Sequence, residues 1–423
     1  MVVELINTGS ELMLGRVLNT HQQWLCRRLA DLGYVVSRQV AVPDGGRDIE
    51  QAVREALARA DLVMVTGGLG PTTDDLTREL VARLLGKGLQ KDAAVLAHIS
   101  GFFTSRKRPM PERMKVQAMV PDGAQVLPNP HGTAPGLAME VRPNPFRPDG
   151  QPSWLIMLPG PTRELRPMFA DVVAPLLQRV LPLKEIFVCR TLRTTGIGES
   201  VVQEKVGGPL ERWVEAGLDL GYCARPGQVD VRLAAQGGAA AQQVGEAEAI
   251  VRDVLAAYLY GTEDEDLETV VVRLLTERKT TLAVAESCTG GCIANRLTNV
   301  PGASAVLLAG LVPYSNAAKQ KFLGVQADTL TRHGAVSEAV VREMAEGARQ
   351  QTQAAYALAV TGIAGPSGGT PDKPVGTVFL GLAGAFGTVA QRQFNPYDRE
   401  TFKQVTAQQA LELLRRTLLT AGA

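Results

Sequence analysis

The sequence predicts an α/β protein of several domains, opening on a parallel sheet with helices on both faces. Three observations predict this. Apolar runs of strand length alternate with amphipathic stretches of helix length, glycine-rich turns fall at the ends of those runs, and 423 residues exceed the ~100–200 that one core usually serves. Such sheets bind ligands beyond the C-terminal ends of their strands, where these glycine turns lie.

Val2–Ile6 reads as a buried strand ending in Asn7-Thr8-Gly9. Asn19 and Thr20 are N-cap candidates for a helix that repeats Leu25, Leu29 and Leu32 and stops at Gly33. Tyr34–Val42 reads as strand, Asp48–Ala60 as helix and Asp61–Thr66 as a third strand running into Gly67-Gly68-Leu69-Gly70-Pro71. The prolines between Pro143 and Pro152 suggest a surface insertion or hairpin. Trp154–Leu158 is apolar again, and a helix follows to about residue 180.

Residues 183–262 read as a small α/β unit. It has strands near 188–194, 218–224 and 228–234, a helix from about Glu199 and another over 240–258. The run Glu263-Asp264-Glu265-Asp266 suits both a linker end and the acidic first turn of the next helix, Leu267–Arg278. The strand Thr281–Ala285 then leads through Glu286-Ser287-Cys288-Thr289-Gly290-Gly291 into a helix. Val306–Val312 and Tyr356–Val360 are strands, and Ser337 caps a helix running to about Arg349. Val375–Leu382 and Thr388–Phe394 form a β pair, and Asp398 caps the last helix. The expected domains are 1–178, 179–262 and 263–423.

A net charge of +1 gives no general basic excess, which argues against nucleic acid and membrane surfaces as partners. Five scattered cysteines suit free thiols in a reducing cytosol. Met1-Val2-Val3-Glu4-Leu5 has no basic segment before its apolar run, so it is not read as a signal peptide, and no apolar stretch reaches the ~18 residues of a membrane span. The expected location is the cytoplasm.

The turn after Glu286 offers two chemistries. A strand turning through Ser287, Thr289, Gly290 and Gly291 into a helix can present backbone N–H groups to an anion, or expose Ser287 as a nucleophile. The plain alternative is a helix cap. Lys319, in Tyr314-Ser315-Asn316-Ala317-Ala318-Lys319, becomes a base if burial lowers its pKa, and is otherwise a surface lysine. The polar glycine loop Thr361–Gly369, with Gly362 and Gly365, suits a ribose or phosphate, and Arg399 suits an anion. The last unit contains one histidine, His333, in what reads as a turn, which weighs against a Ser-His-Asp triad. A thiol route would use Cys288 with Glu286 and Lys319. Cys288 and Cys292 could share a metal only with a second ligand pair, which the neighbourhood lacks.

In the first unit Thr8, Gly9 and Glu11, the loop with Gly67, Gly68, Gly70 and Thr72, the Asn129–Gly136 loop with Gly132 and Thr133, and Gly160 gather at expected strand ends. Asp74 and Asp75 follow the phosphate-type loop and suggest a divalent metal bridging phosphate oxygens; alternatively they cap a helix.

These clusters occur in the order found in the CinA family, which the chain resembles over its whole length. Ala285–Gly291, Pro301–Ala305, Tyr314–Lys319, His333–Glu338, Thr361–Gly369, Lys373–Thr377 and Asp398-Arg399 carry the resemblance in the last 160 residues. Thr8–Leu12, Thr66–Asp75, Asn129–Gly136 and Leu158–Pro161 carry it in the first 175. The resemblance implies a molybdopterin-binding-like N-terminal domain, a KH-like connecting domain and a C-terminal amidase. That amidase converts nicotinamide mononucleotide (NMN) to nicotinic acid mononucleotide and ammonia without a cofactor. Carried over residue by residue, its site is Ser287, Thr289, Ser304, Tyr314, Lys319, Thr361 and Arg399. Whether Ser287 or Ser304 attacks stays open. If the Ser287 turn holds the phosphate, Ser304 is the nucleophile. Two positions depart from the family: Tyr397 stands where a glycine is usual, and Gly302-Ala303-Ser304 replaces Gly-Ser-Ser.

For the first domain the resemblance implies metal-dependent hydrolysis of ADP-ribose, with a pterin- or nucleotide-binding regulatory module as the alternative. The expected assembly is a homodimer. Gly196-Ile197-Gly198 does not have the Gly-x-x-Gly spacing by which KH folds clamp nucleic acid.

Overall fold

The computed structural model describes residues 1–183 and 185–420. They form two compact units, one of the described residues up to 188 with 236–238, the other of residues 189–235 with 239–420.

The first unit is built on a six-stranded sheet. Its elements are β1 (Val3–Thr8), α1 (Thr20–Asp31), β2 (Val36–Val42), α2 (Gly46–Leu57), β3 (Leu62–Thr66), α3 (Thr77–Leu84), β4 (Gln125–Leu127), β5 (Gly136–Val141), β6 (Ser153–Leu158) and α4 (Thr162–Met168). The strand order is β2-β1-β3-β6-β5-β4. The first four strands are parallel, as the alternation of strands and helices requires. The last two are antiparallel, so the sheet is mixed rather than wholly parallel. The cause is the proline-rich segment: it forms a hairpin loop between β5 and β6, and a hairpin can only reverse the chain. Asn144 pins that loop, donating from Nδ2 to Leu57 O and to Ser153 Oγ at 2.8 Å each.

Every residue of β1 and β3 is buried, because apolar clusters cover both faces of the sheet. α1 begins where expected, with Asn19 Oδ1 accepting from Gln22 N at 3.1 Å, and ends before Gly33, whose φ of 88° is left-handed. Between residues 76 and 127 lie α3, a further helix (Ala93–Thr104) and three-residue strands for which no element was expected. Three residues are too few to show an alternation.

The second unit carries two sheets. β7 (Phe187–Thr195), α5 (Glu199–Glu215), β8 (Asp219–Arg225), β9 (Gln228–Gln236), α6 (Ala240–Val254) and β10 (Leu259–Thr262) form a four-stranded sheet in the order β8-β9-β7-β10 with two helices. The rest comprises α7 (Leu267–Glu277), β11 (Leu282–Glu286), α8 (Cys292–Thr298), β12 (Leu307–Leu311), α9 (Asn316–Leu323), α10 (Ala327–His333), α11 (Glu338–Thr352), β13 (Tyr356–Gly362), β14 (Thr377–Gly384), β15 (Gly387–Phe394) and α12 (Arg399–Thr420). Its sheet order is β12-β11-β13-β14-β15, with the first three strands parallel and the last two antiparallel. The parallel trio matters for chemistry: the C-terminal ends of β12, β11 and β13 share one edge and release Tyr314, Ser287 and the Thr361 loop side by side.

Gln408 of α12 joins the two sheets. Its Nε2 donates to Thr195 Oγ1 at 3.2 Å, and its Oε1 accepts from Gln228 Nε2 at 3.2 Å. No helix among the described residues is long and apolar enough to cross a membrane.

Candidate active site

Ser287 follows the last residue of β11 and is held to the neighbouring strand by its N–H, which donates to Val360 O at 3.1 Å. Its Oγ lies 3.0 Å from Nζ of Lys319, which comes back over the sheet edge from α9. Only 2% of Lys319 is exposed. Its Nζ also donates to the carbonyls of Pro313 at 3.1 Å and Tyr314 at 3.2 Å. No carboxylate is among these partners, and burial pushes the ammonium below its ordinary pKa of 10.5. Lys319 is therefore not the surface lysine of the plain reading.

Thr361 stands beside Ser287 on β13, buried, with Oγ1 donating to Ala335 O at 2.9 Å. Arg399 closes the other side. Its Nη1 donates to Gly365 O at 2.9 Å and its Nη2 to Tyr314 Oη at 2.8 Å, so one guanidinium ties the glycine loop to the exposed tyrosine. Asp398 caps α12 as expected, its Oδ1 accepting from Glu400 N and Thr401 N. Thr289 is fully buried and its Oγ1 has no partner. Asn316 is exposed at the start of α9. Gly362 packs where a Cβ would meet Thr377 O at 2.9 Å.

Three sequence expectations change here. First, the start of α8 is not a vacant anion site. Glu286, 0% exposed, accepts from Gly291 N at 3.0 Å and Ile293 N at 3.1 Å through Oε2, and from Ala294 N at 2.8 Å through Oε1. The chain's own carboxylate fills the place a phosphate would take. The left-handed Gly290 (φ 62°) and Gly291 (φ 94°) let the turn fold back to reach it.

Second, the thiol route lacks its parts. Glu286 is committed to that cap. Cys288 packs into the apolar cluster beneath the sheet, and burial pushes its thiol up to about 12.

Third, Ser304 is at the wrong end of the sheet. It lies in the short turn Ala303–Ala305 before β12, and Leu282, the first residue of β11, donates its N–H to Val306 O. Ser287 lies beyond the far end of β11, roughly 16 Å along the strand direction. Within one chain Ser304 does not meet Lys319. His333 ends α10 rather than lying in a turn, and its carbonyl accepts from Lys373 Nζ at 2.7 Å.

Lys403 escaped the sequence reading. It sits one turn after Arg399 on the same face of α12, and a methyl group built on Gly290 would stand 3.8 Å from its Nζ. The signal available was the i, i+4 spacing from Arg399.

In the first unit a cavity of about 390 Å³ opens at the C-terminal ends of β1, β3 and β6. Thr8, Gly9, Glu11, Gly67, Gly68, Gly70, Asp74, Asp75, Thr133 and Gly160 line it, as do Asp44, Gln117 and Glu164, which the sequence reading missed. Gln117 is buried and its Oε1 has no partner, so the wall offers an acceptor to a ligand. Glu164 is buried in the first turn of α4 and accepts from Asn129 Nδ2 at 2.9 Å. A Cβ on Gly132 would lie 1.9 Å from Glu164 Oε2, so any side chain there would push the Glu164 carboxylate aside.

Thr72 serves the loop itself. Its N and Oγ1 donate to Asp75 Oδ2 at 2.9 and 2.5 Å, which ties Asp75 into the turn. Among the described residues no three His, Cys, Asp or Glu side chains gather closely enough to hold a metal ion. Asp74 and Asp75 therefore do not make a metal cage by themselves.

Residues 264–418 match the CinA C-terminal domain, residues 189–261 the KH domain of damage-inducible protein CinA, and residues 4–179 a probable molybdopterin binding domain. A CinA-like protein of Akkermansia muciniphila is 47% identical over 410 residues, covering 97% of this chain and 95% of the relative.

The chain belongs to the CinA family.

A CinA-like protein of Gemmatimonas aurantiaca is 40% identical over 421 residues, covering 98% of this chain and 96% of its own. Among solved structures, the competence/damage inducible protein CihA from Agrobacterium tumefaciens is 41% identical, covering 36% of this chain and 93% of its own, with a TM-score of 0.35. CinA membership accounts for the order of domains: a molybdopterin-binding-like mixed sheet, a KH-like middle domain and an α/β C-terminal domain.

Proposed function

We propose that the C-terminal unit hydrolyses the carboxamide of nicotinamide mononucleotide, releasing ammonia and nicotinic acid mononucleotide. The observation that carries this reading is the buried contact of 3.0 Å between Lys319 Nζ and Ser287 Oγ. As an ammonium, Lys319 spends its three protons on Ser287 and two carbonyls. As a neutral amine it keeps the two carbonyl bonds and turns its lone pair to the serine hydroxyl. Burial favours that second form.

Ser287 Oγ then attacks the carboxamide carbon as Lys319 takes its proton. The tetrahedral intermediate collapses as Lys319 returns the proton to the leaving nitrogen, and ammonia departs. Water, deprotonated by the same amine, releases the acid and frees Ser287. The unpartnered hydroxyl of Thr289 is the side-chain donor of the turn left for the developing oxyanion, since the Thr361 hydroxyl already donates to Ala335 O. The chemistry needs no cofactor. Ammonia release from NMN by the full chain tests the reading. It fails if the wild type releases none, or if Ser287→Ala matches the wild type.

For the first unit the reading is hydrolysis of the ADP-ribose diphosphate in the cavity bounded by the Gly67–Gly70 loop and Glu164. The glycine loop supports it, as does the orphaned Gln117 acceptor. A divalent ion there would have to be held mainly by the substrate's diphosphate, since Asp75 is tied to Thr72. Absence of AMP formation with any divalent ion would instead favour a regulatory nucleotide- or pterin-binding module. A cytoplasmic homodimer completes the reading, and light scattering of the purified chain checks the dimer.

A further inference from the structure

We infer that Lys403, with Arg399, forms the phosphate-recognising subsite of the amidase and makes it select nucleotides over nucleosides. This rests on the reading of the C-terminal unit given above. Glu286 already occupies the end of α8, so the substrate's phosphate needs another cation or helix end near Ser287. The start of α12, its own end capped by Asp398, supplies two cations. Arg399 and Lys403 lie one turn apart on a helix of 22 residues, Arg399 reaching the Tyr314 and Gly365 side and Lys403 reaching over Gly290.

That arrangement works against the fold. Cations at i and i+4 repel and the positive end of a helix disfavours both, a tension that the carboxylates of Asp398 and Glu400 in the same turn reduce. Lys403 is half-buried and, among the described residues, forms no ion pair with a carboxylate. An anion placed between the two side chains removes the conflict. A local electrostatic cost beside a nucleophile is the mark of a ligand contact rather than of packing. Gly290 has to be glycine because its φ is left-handed, and a Cβ there would lie 3.8 Å from Lys403 Nζ, which places the ammonium against the turn.

The experiment compares kcat/KM for NMN and for nicotinamide riboside, which lacks the phosphate, in the full-length wild type, Lys403→Gln and Lys403→Arg. Lys403→Gln is expected to lower the NMN-to-riboside ratio by about 10-fold or more, the scale of one charge-assisted hydrogen bond, and Lys403→Arg to restore most of it. Ribose 5-phosphate, measured by calorimetry, is expected to bind the wild type through this site and to bind Lys403→Gln with at least about 10-fold lower affinity there. A ratio unchanged within twofold overturns the subsite, as does an equal fall for both substrates. If the wild type releases no ammonia from NMN, the amidase reading fails by itself. The ribose 5-phosphate comparison then decides the subsite, and equal binding by both proteins overturns it.

Discussion

Lys319 Nζ and Ser287 Oγ face each other at 3.0 Å with no carboxylate among the lysine's hydrogen-bond partners. Loss of either group removes the same step, so their effects should not add. Ser287→Ala and Lys319→Ala are each expected to lower kcat by about 10²–10⁴-fold, and the double variant to be no worse than the poorer single one. Steady-state ammonia release measures this. Multiplicative losses would mean that the two side chains serve separate steps.

Burial lowers the Lys319 pKa, and only its neutral form accepts the serine proton. kcat/KM should therefore rise with pH through a pKa below 10.5, not fall. The same shift links to stability. Between the lowered folded pKa and 10.5 the unfolded chain binds the extra proton, so wild-type stability gains as pH rises across that window. The Tm difference between Lys319→Met and wild type should move in favour of the wild type over the same range. A difference constant with pH would contradict a lowered folded pKa.

Cys288 lies in the apolar cluster with its thiol pushed up to about 12. Cys288→Ala should keep ammonia release within about threefold of wild type, and maleimide should leave the native protein active. Inactivation that tracks labelling of Cys288 would restore the thiol route.

Glu286 holds three backbone N–H groups of the turn that carries Ser287. Glu286→Gln removes the charge and sets an amide N–H against backbone donors. The expected cost is about 2–4 kcal/mol of stability, read from urea unfolding. A cost below about 0.5 kcal/mol would show that these bonds do not hold the turn.

Gly132→Ala is expected to displace Glu164 from the first unit's cavity and reduce ADP-ribose turnover by about tenfold or more, with ammonia release from NMN unaltered. Turnover equal to wild type would remove Glu164 from that site.

Much of this site was legible because its parts lie at the ends of long apolar strands. Val284 and Val360 mark β11 and β13, and parallel strands must release their loops at one edge, so Ser287 and Thr361 could be paired on paper. Placing Ser304 needed the register of β12 against β11, which no local pattern encodes. Glu286 entered the sequence reading only as a partner of Cys288, and its three bonds to backbone N–H groups make it the cap instead. Nothing in the local sequence separates Lys403 from other helix lysines, because its nearness to Gly290 exists only after folding. In the first unit, Glu164 and Gln117 reach the cavity from segments far from the glycine loops, a proximity that exists only after folding.

The Glu286 cap has a kinetic meaning. The turn bearing Ser287 is tied down by bonds internal to the chain, so it has its working shape before any ligand arrives. A ligand reaching Ser287 orders no loop around the reacting hydroxyl. Association should be a single phase, linear in ligand concentration, with the free energy of docking retained for the chemical step.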